Sequence, residues 1–295
     1  MDLQSSNNSC TMSREVDKLP TPTVIRRKKV IVASASRSGT LGLYEAMKIL
    51  GYRPYHLFET VTVHGETHLK IFKEALIAQF NYFSGIRRLR KPDVEKWLAD
   101  YDAIVEVPSY LGMDMIDAYA EDPDVKFILT ERDPKKWALS FNNTCYNVAK
   151  MATTFPLNIL KYFQADLYQF LEVNKLVYQA FANGTMPGDP DNEDSLCDYY
   201  SSYIKRVKST IPADRLCLIR LEDGIDWDTI CPFLEVPVPK ENYPDRNQPA
   251  RFEALIGTFL QPRILTAMLR CGALVLTVLG AGGWVTFNYG PSVLP

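Results

Sequence analysis

A chain of 295 residues with 46% apolar side chains is large enough to bury one α/β core with appendages, or two smaller cores. Its 33 basic and 35 acidic residues give a net charge of −2, which excludes the basic balance typical of nucleic-acid-binding proteins. We therefore expect no nucleic acid among its partners.

Composition divides the chain into three parts. Residues 1–27 are predicted to form a disordered N-terminal arm, because the first 22 residues are polar, rich in Ser and Asn, and lack an apolar run. Residues 28–263 are predicted to form one α/β domain. Residues 264–290 are predicted to form a C-terminal transmembrane anchor.

The domain opens with a predicted strand, a loop of small residues and a helix. Residues 30–33 are an apolar run that suits a buried parallel strand. After Thr40 the spacing becomes helical, since Leu43, Met47 and Leu50 share a face and Gly51 suits a helix end. A tight loop that leads into a helix start presents N–H groups and the positive end of the helix dipole to an anion.

This loop differs from the commoner nucleotide-binding loops. Gly39 stands where a Walker A loop has its lysine, and a dinucleotide fingerprint requires three glycines where this loop has one. Arg37 adds a fixed fork of hydrogen-bond donors. The loop by itself suits either an anion site or an ordinary turn with an exposed arginine.

Further strands alternate with helices along the domain. Strands are predicted over residues 53–58, 101–107, 125–130 and 216–221, and helices over residues 65–83, 92–100, 108–119, 157–182, 195–210 and 227–234, with a further helix from Pro134. This alternation predicts a doubly wound parallel sheet flanked by helices. Ligands of such sheets bind at the carboxyl ends of the strands. The polar residues at these predicted ends are His56, Glu59, Glu106 and Arg132.

The C-terminal part of the chain contains an uncharged apolar stretch over residues 271–287. With residues 264–269 it is about long enough to cross a bilayer. Trp284 and Tyr289 suit a membrane interface, and the nearby arginines all precede the stretch. We predict a single-pass anchor in membrane lipid with the domain facing the cytosol; the alternative is a buried C-terminal helix.

Two of these motifs together resemble the cofactor-binding loops of sulfotransferases. The run Arg37-Ser38-Gly39-Thr40 before a helix is similar to their 5′-phosphosulfate loop. The run from Thr130 to Pro134, followed by Trp137 and Ser140, is similar to their 3′-phosphate motif. The resemblance covers residues 29–252 and points to a P-loop-type branch common in fungi, some of whose members are described as epimerases or dehydratases.

The resemblance implies an enzyme that transfers a sulfuryl group from PAPS (3′-phosphoadenosine 5′-phosphosulfate) to a hydroxyl or amine of a small lipophilic acceptor, without a metal. It implies that Arg132 and Ser140 hold the 3′-phosphate. The 5′-phosphate would be bound by the loop residues Ser36, Arg37, Ser38, Gly39, Thr40 and Leu41. For the base that removes the acceptor's proton, His56 is the first choice, with Glu59 and Glu106 as rivals.

Two departures from the family pattern bear on this implication. The loop begins Ala33-Ser34-Ala35-Ser36, where the branch often has glycines, and Glu106 stands where the branch has Asp. Two other functions therefore remain open: a non-catalytic nucleotide-binding or scaffold protein at a membrane, and a P-loop kinase that uses ATP. His64 and His68 have helical spacing for a metal pair, but no third ligand is placed, so we expect a solvated helix start.

Overall fold

The computed structural model describes the backbone of residues 13–244 and 248–289. It describes their side chains too, except those of residues 248–256 and 289. Five strands form one parallel sheet in the order β2-β3-β1-β4-β5. Their bounds are β1 Val30–Val32, β2 Pro54–Tyr55, β3 Ala103–Val105, β4 Lys126–Glu131 and β5 Leu216–Arg220. The predicted doubly wound parallel sheet is confirmed.

Helices connect the strands and cover both faces of the sheet. Their bounds are α1 Thr40–Ile49, α2 Leu57–Glu59, α3 Gly65–Phe80, α4 Lys91–Trp97, α5 Val107–Tyr110, α6 Asp114–Ala120, α7 Pro134–Phe141, α8 Asn147–Met151, α9 Leu157–Leu160, α10 Ala165–Phe181, α11 Asn192–Thr210, α12 Trp227–Leu234 and α13 Gln248–Tyr289. Single turns of π-helix extend two of them, at Thr60–His64 before α3 and at Asn142–Tyr146 after α7.

Alternate side chains of the central strand enter two separate cores. Val30 and Val32 pack with Leu43 and Met47 of α1 on one face of the sheet. Ile31 faces the larger core on the other face, which contains residues of α3, α7, α10 and α11. Because successive side chains of a strand point to opposite faces, an uninterrupted apolar run was needed to fill both cores.

Part of the predicted N-terminal arm is packed onto the domain. Val16 is 1% exposed, and Arg14, itself buried, binds Asp93 on α4 at 2.5 Å and Asp17 at 2.8 Å. The prediction of a disordered arm over residues 1–27 is therefore wrong for residues 13–19; further along the arm, Val24 and Ile25 are exposed. The cause is one valine and one arginine that find partners far along the chain, which composition does not reveal. Residues 1–12 lie outside the described residues.

Two other elements differ in extent from their predictions. The second strand is limited to Pro54–Tyr55, because the chain turns into α2 at Leu57. The C-terminal helix α13 begins at Gln248 rather than near residue 264 and runs without a break into the predicted anchor. Its apolar part, Gly257–Asn288, is long enough to cross a membrane. The segment after α12 has no helix or strand between residues 237 and 244, and residues 245–247 are not described.

Candidate active site

The backbone of the loop between β1 and α1 is hydrogen-bonded to side chains of other elements. Four backbone carbonyl oxygens of the loop accept hydrogen bonds of 2.6–2.7 Å from side chains of α7, of α11 and of the end of β4. The pairs are Tyr203 hydroxyl to Ala33, Trp137 Nε1 to Ser36, Arg132 Nη1 to Arg37, and Thr130 hydroxyl to Ser38. These four hydrogen bonds fix the backbone of the loop at the end of β1.

Two residues of the loop adopt left-handed backbone angles that expose the helix start. Arg37 has φ = 69° and Gly39 has φ = 83°. Gly39 is the N-cap of α1 and has no side chain to cap the first N–H groups, which leaves them for an anion. The left-handed φ of Gly39 is what favours glycine here. A Cβ would also lie 2.9 Å from Ile225 Cδ1, the end of a side chain that would have to shift.

The loop opens onto a cavity of about 420 Å³. Its lining includes most of the residues predicted from the sequence: Ser36, Arg37, Gly39, Thr40, Leu41, His56, Glu106, Arg132 and Ser140. Ser38 does not line it, because its side chain is buried beneath the loop. Glu59 does not line it either, because the side chain turns away to accept a hydrogen bond from Tyr44.

The two predicted phosphate motifs meet at one wall of this cavity. Arg37 Nε lies 3.4 Å from Ser140 Oγ, and Arg132 reaches back from the end of β4 to the carbonyl of Arg37. Burial lowers the pKa of the Arg132 guanidinium, and the negative charge of Glu222 partly offsets this decrease. Its Nε is buried and has no hydrogen-bond partner within the described ranges. A buried cationic donor without a partner is stabilised by an anion that enters the cavity.

A second group of polar side chains lies at the end of β3, beside the helix start. Glu106 Oε1 accepts a 3.0 Å hydrogen bond from the Thr40 hydroxyl, and Glu106 Oε2 lies 2.9 Å from His56 Nε2. Burial alone would raise the pKa of Glu106, but the neighbouring His56 and side-chain hydrogen bonds from Ser36 and Thr40 outweigh it and lower that pKa. Glu106 is therefore a carboxylate at neutral pH.

The hydrogen bonds of His56 assign its tautomer. Its Nδ1 accepts a 3.0 Å bond from the N–H of Phe58, so the ring proton lies on Nε2, on the side of Glu106. The Nε2–H is close to Glu106 without the alignment of a hydrogen bond. The Tyr44 ring lies 5.2 Å from the imidazole and fixes its position. Glu106 thus lies between the Thr40 hydroxyl and His56 Nε2.

The other histidine pair has a structural environment. The rings of His64 and His68 stack 3.7 Å apart, and they bond to the hydroxyls of Tyr101 and Tyr55 respectively. The expectation of a solvated helix start was wrong for His68, which is buried because α3 lies against the core. No group of three potential metal ligands occurs within residues 13–244 and 248–289.

Sequence reasoning missed several residues that build the site. The Tyr200 hydroxyl accepts a 3.0 Å hydrogen bond from the backbone N–H of Arg132, and the Tyr203 hydroxyl donates one to the carbonyl of Ala33. Both tyrosines are on α11. Tyr110 and Phe259 line the cavity, the latter from α13. Their sequence neighbourhoods read as ordinary amphipathic helices, so no local signal marks them.

The sheet order and the braced loop at the first strand are those of a P-loop-type α/β fold. A family model described as a sulfotransferase domain matches residues 29–252. The chain therefore belongs to the sulfotransferase family. The curated protein "Ava biosynthesis cluster protein M" of Aspergillus versicolor is 30% identical to it over 218 residues, which cover 73% of this chain and 79% of that protein.

Two solved structures are also similar to the chain. A sulfotransferase from Alicyclobacillus acidocaldarius has 13% identity and a TM-score of 0.38, over 85% of this chain and 96% of its own. The sulfotransferase domain from the curacin biosynthetic pathway has 11% identity and a TM-score of 0.35, over 73% of this chain and 76% of its own.

Proposed function

We propose that the protein transfers the sulfuryl group of PAPS to a hydroxyl or amine of a small lipophilic acceptor. The observation that carries this proposal is the meeting of Arg37, Arg132 and Ser140 at one wall of the cavity. A nucleotide with phosphates at both the 5′ and 3′ positions of one ribose needs two anion-binding groups a short distance apart. The helix start with Arg37 provides one, and Arg132 with Ser140 provides the other.

The reaction is an in-line displacement at sulfur. The acceptor oxygen or nitrogen forms a bond to sulfur, the bond from sulfur to the 5′-phosphate oxygen breaks, and PAP (3′-phosphoadenosine 5′-phosphate) leaves with the bonding electrons. The N–H groups at the start of α1 and the Arg37 guanidinium stabilise the charge that develops on that oxygen. Holding both reactants in line provides much of the remaining rate enhancement. These roles require no metal ion.

The proton released by the acceptor needs a base. The sequence favoured His56, with Glu59 and Glu106 as rivals. The tautomer of His56 favours Glu106 as the proton acceptor, with His56 as the residue that positions it. Glu59 is the weakest of the three, because it is bonded to Tyr44 away from the cavity.

The mutants that separate these assignments are Glu106→Gln and His56→Asn. Glu106→Gln is expected to reduce turnover by about 10²- to 10⁴-fold, the usual contribution of a general base. PAP affinity is expected not to fall, because the change removes a negative charge beside the phosphate site. A larger loss of turnover in His56→Asn than in Glu106→Gln would assign the base to His56.

Part of the cavity lining is apolar or aromatic. These residues are Phe58, Val61, Tyr110, Phe170 and Phe259. Apolar and aromatic walls with a few fixed polar groups are typical of sites for small organic ligands. This lining supports a lipophilic acceptor whose nucleophile reaches toward Glu106.

We also propose that α13 anchors the protein in a membrane with the domain on the cytosolic side. The stretch from Gly272 to Asn288 is exposed along its whole length. Arg263 and Arg270 precede it and bind to groups of the domain. An excess of basic residues at one end of a span favours the cytosolic side for that end.

The first test is ligand-dependent thermal unfolding of the full chain in detergent micelles. The ligands are PAP, adenosine 5′-monophosphate, ATP with magnesium, and NAD. A ligand at about 100 times its dissociation constant stabilises the folded state by about 2.7 kcal/mol. We expect the largest shift with PAP, after which PAPS and a panel of lipophilic alcohols and amines are screened for turnover.

Each alternative function has its own outcome in the same experiment. A shift with PAP but no turnover in any acceptor screen would favour a non-catalytic nucleotide-binding or scaffold protein. A larger shift with ATP and magnesium than with PAP would favour a kinase and refute the proposal. The absence of a lysine in the loop opposes that second outcome.

A further inference from the structure

Apolar side chains are exposed around the point where α13 leaves the domain. Phe155, Ile159 and Tyr162, on and beside α9, are 75%, 48% and 69% exposed. On the neighbouring turns of α13, Leu265, Met268 and Leu269 are more than half exposed. We call these six side chains the α9–α13 surface.

The position of this surface along α13 is fixed by two contacts. Arg270 Nη1 donates a 3.0 Å hydrogen bond to the carbonyl of Phe163, the residue after Tyr162. Arg263, two turns earlier, pairs with Asp166 at 3.3 Å. Tyr162 therefore lies at the level where the helix leaves its last partners in the domain.

Beyond that level the helix is uncharged and exposed. Residues 271–288 number 18 and extend about 27 Å along a helix axis. This length is close to the hydrocarbon thickness of a bilayer, about 30 Å. Arg270 then falls at one face of the bilayer, where basic and aromatic side chains concentrate. The α9–α13 surface is continuous with that face.

We propose that the α9–α13 surface is a second membrane contact, which seats the domain on the lipid surface beside its own anchor. The proposal rests on the membrane anchor proposed above. A tyrosine and a phenylalanine at this level place apolar rings among the headgroups, and the tyrosine hydroxyl stays in the polar layer. A single helix would leave the domain free to swing, whereas two contacts fix its orientation.

This orientation has a consequence for the acceptor. Phe259, which lines the cavity, precedes Arg270 by 11 residues on the same helix, or about 17 Å along its axis. The cavity is thus held at a fixed, short distance from the lipid surface. The acceptor class that fits is an amphiphile that partitions into the bilayer and extends its hydroxyl or amine from it.

The experiment uses tryptophan fluorescence of the full chain in phosphatidylcholine vesicles with a nitroxide quencher on the upper part of the lipid chain. Trp284 is replaced by Phe to silence the anchor, and the other three tryptophans are at most 7% exposed. The reporter is Tyr162→Trp, with Ile159→Trp as a second reporter if the first variant does not fold.

The matched control is Phe83→Trp. Phe83 is 99% exposed and follows α3. A Cβ on Gly65, the first residue of α3, would lie 3.0 Å from Asp166 Oδ1, which pairs with Arg263 of α13, so this end of α3 is close to α13. The 16 residues of α3 carry Phe83 about 24 Å from that end. The control therefore reports an exposed aromatic residue of the same domain, distant from the anchor.

We expect the quencher to remove most of the emission that Tyr162→Trp adds, with a blue-shifted maximum, and to leave the Phe83→Trp emission unchanged. Unquenched emission at position 162, together with quenching of Trp284 in the parent chain, would overturn the proposal and keep the anchor. Unquenched Trp284 would overturn both. A blue shift without quenching that grows with protein density would assign the surface to a second copy. PAP binding tests the proposed chemistry separately.

Discussion

Arg132→Lys tests whether the cavity wall recognises a second phosphate. The Arg132 guanidinium uses Nη1 to hold the carbonyl of Arg37 at 2.7 Å, and its buried Nε has no partner within the described residues. Lysine keeps the positive charge but replaces the planar fork with one ammonium group. It cannot hold the loop carbonyl and a 3′-phosphate in the same geometry.

The expected loss is one hydrogen bond between charged groups. Such a bond contributes about 1.5–3 kcal/mol. Its loss raises the dissociation constant of PAP by roughly 10- to 150-fold. Adenosine 5′-monophosphate lacks the 3′-phosphate, so its affinity is expected to change much less. The difference between the two ligands isolates the interaction of position 132 with the 3′-phosphate.

The assay is isothermal titration calorimetry of the full chain in detergent, with salt held constant. Arg220→Lys is the matched control, because Arg220 is an exposed arginine at the end of the adjacent strand β5. Its affinity for both nucleotides is expected to stay near that of the wild type. An equal loss for PAP and adenosine 5′-monophosphate in Arg132→Lys would refute the assignment of Arg132 to the 3′-phosphate.

Three further changes test the loop and the core. Tyr203→Phe leaves the buried carbonyl of Ala33 without its donor, at a cost of about 1–3 kcal/mol, and is expected to lower the melting temperature by several degrees. Gly39→Ala forces a non-glycine residue to φ = 83° and a Cβ to 2.9 Å from Ile225, so stability and PAP affinity are both expected to fall. His68→Gln tests pH dependence: burial, with the charge of His64, lowers the pKa of His68 to about 3. In the unfolded state His68 has a pKa near 6.5 and therefore binds a proton more readily than in the folded state. The stabilising contribution is therefore complete above about pH 6.5. It decreases toward pH 3 by up to about 1.4 kcal/mol per pH unit. His68→Gln is expected to flatten this part of the profile, measured by melting temperature between pH 4 and 7.

Each of these changes has a control. Tyr82→Phe removes an exposed hydroxyl and is expected to leave the melting temperature unchanged. Gly85 also has a positive φ of 69°, but a Cβ there meets nothing within 4 Å. Gly85→Ala should therefore lose stability without losing PAP affinity. Identical pH profiles for the wild type and His68→Gln would show that His68 is not the group that titrates.

Most elements of the fold were predictable because their signals are local. Apolar runs marked β1, β3, β4 and β5, and helical patterns marked α1, α3 and α12 close to their observed bounds. The single helix predicted over residues 157–182 is two helices, α9 and α10, separated by residues 161–164. The strand β2 was predicted but is shorter than expected, because α2 begins at Leu57. The packed segment at residues 13–19 was not predictable in this way, because contacts with distant residues outweigh the local pattern, as with Arg14 and Asp93.

The sequence alone determined the class of protein and the residue types of its site. Strand ends, the small-residue loop and the motif around Arg132 depend on neighbours along the chain, so they are visible without a structure. Only the tertiary structure decided how these residues cooperate. It joined Arg132 to the carbonyl of Arg37 across 95 positions and set Glu106 between Thr40 and His56. It also turned Glu59 away from the cavity. Side-chain packing and burial select these partners, and neither is encoded within a short stretch of the chain.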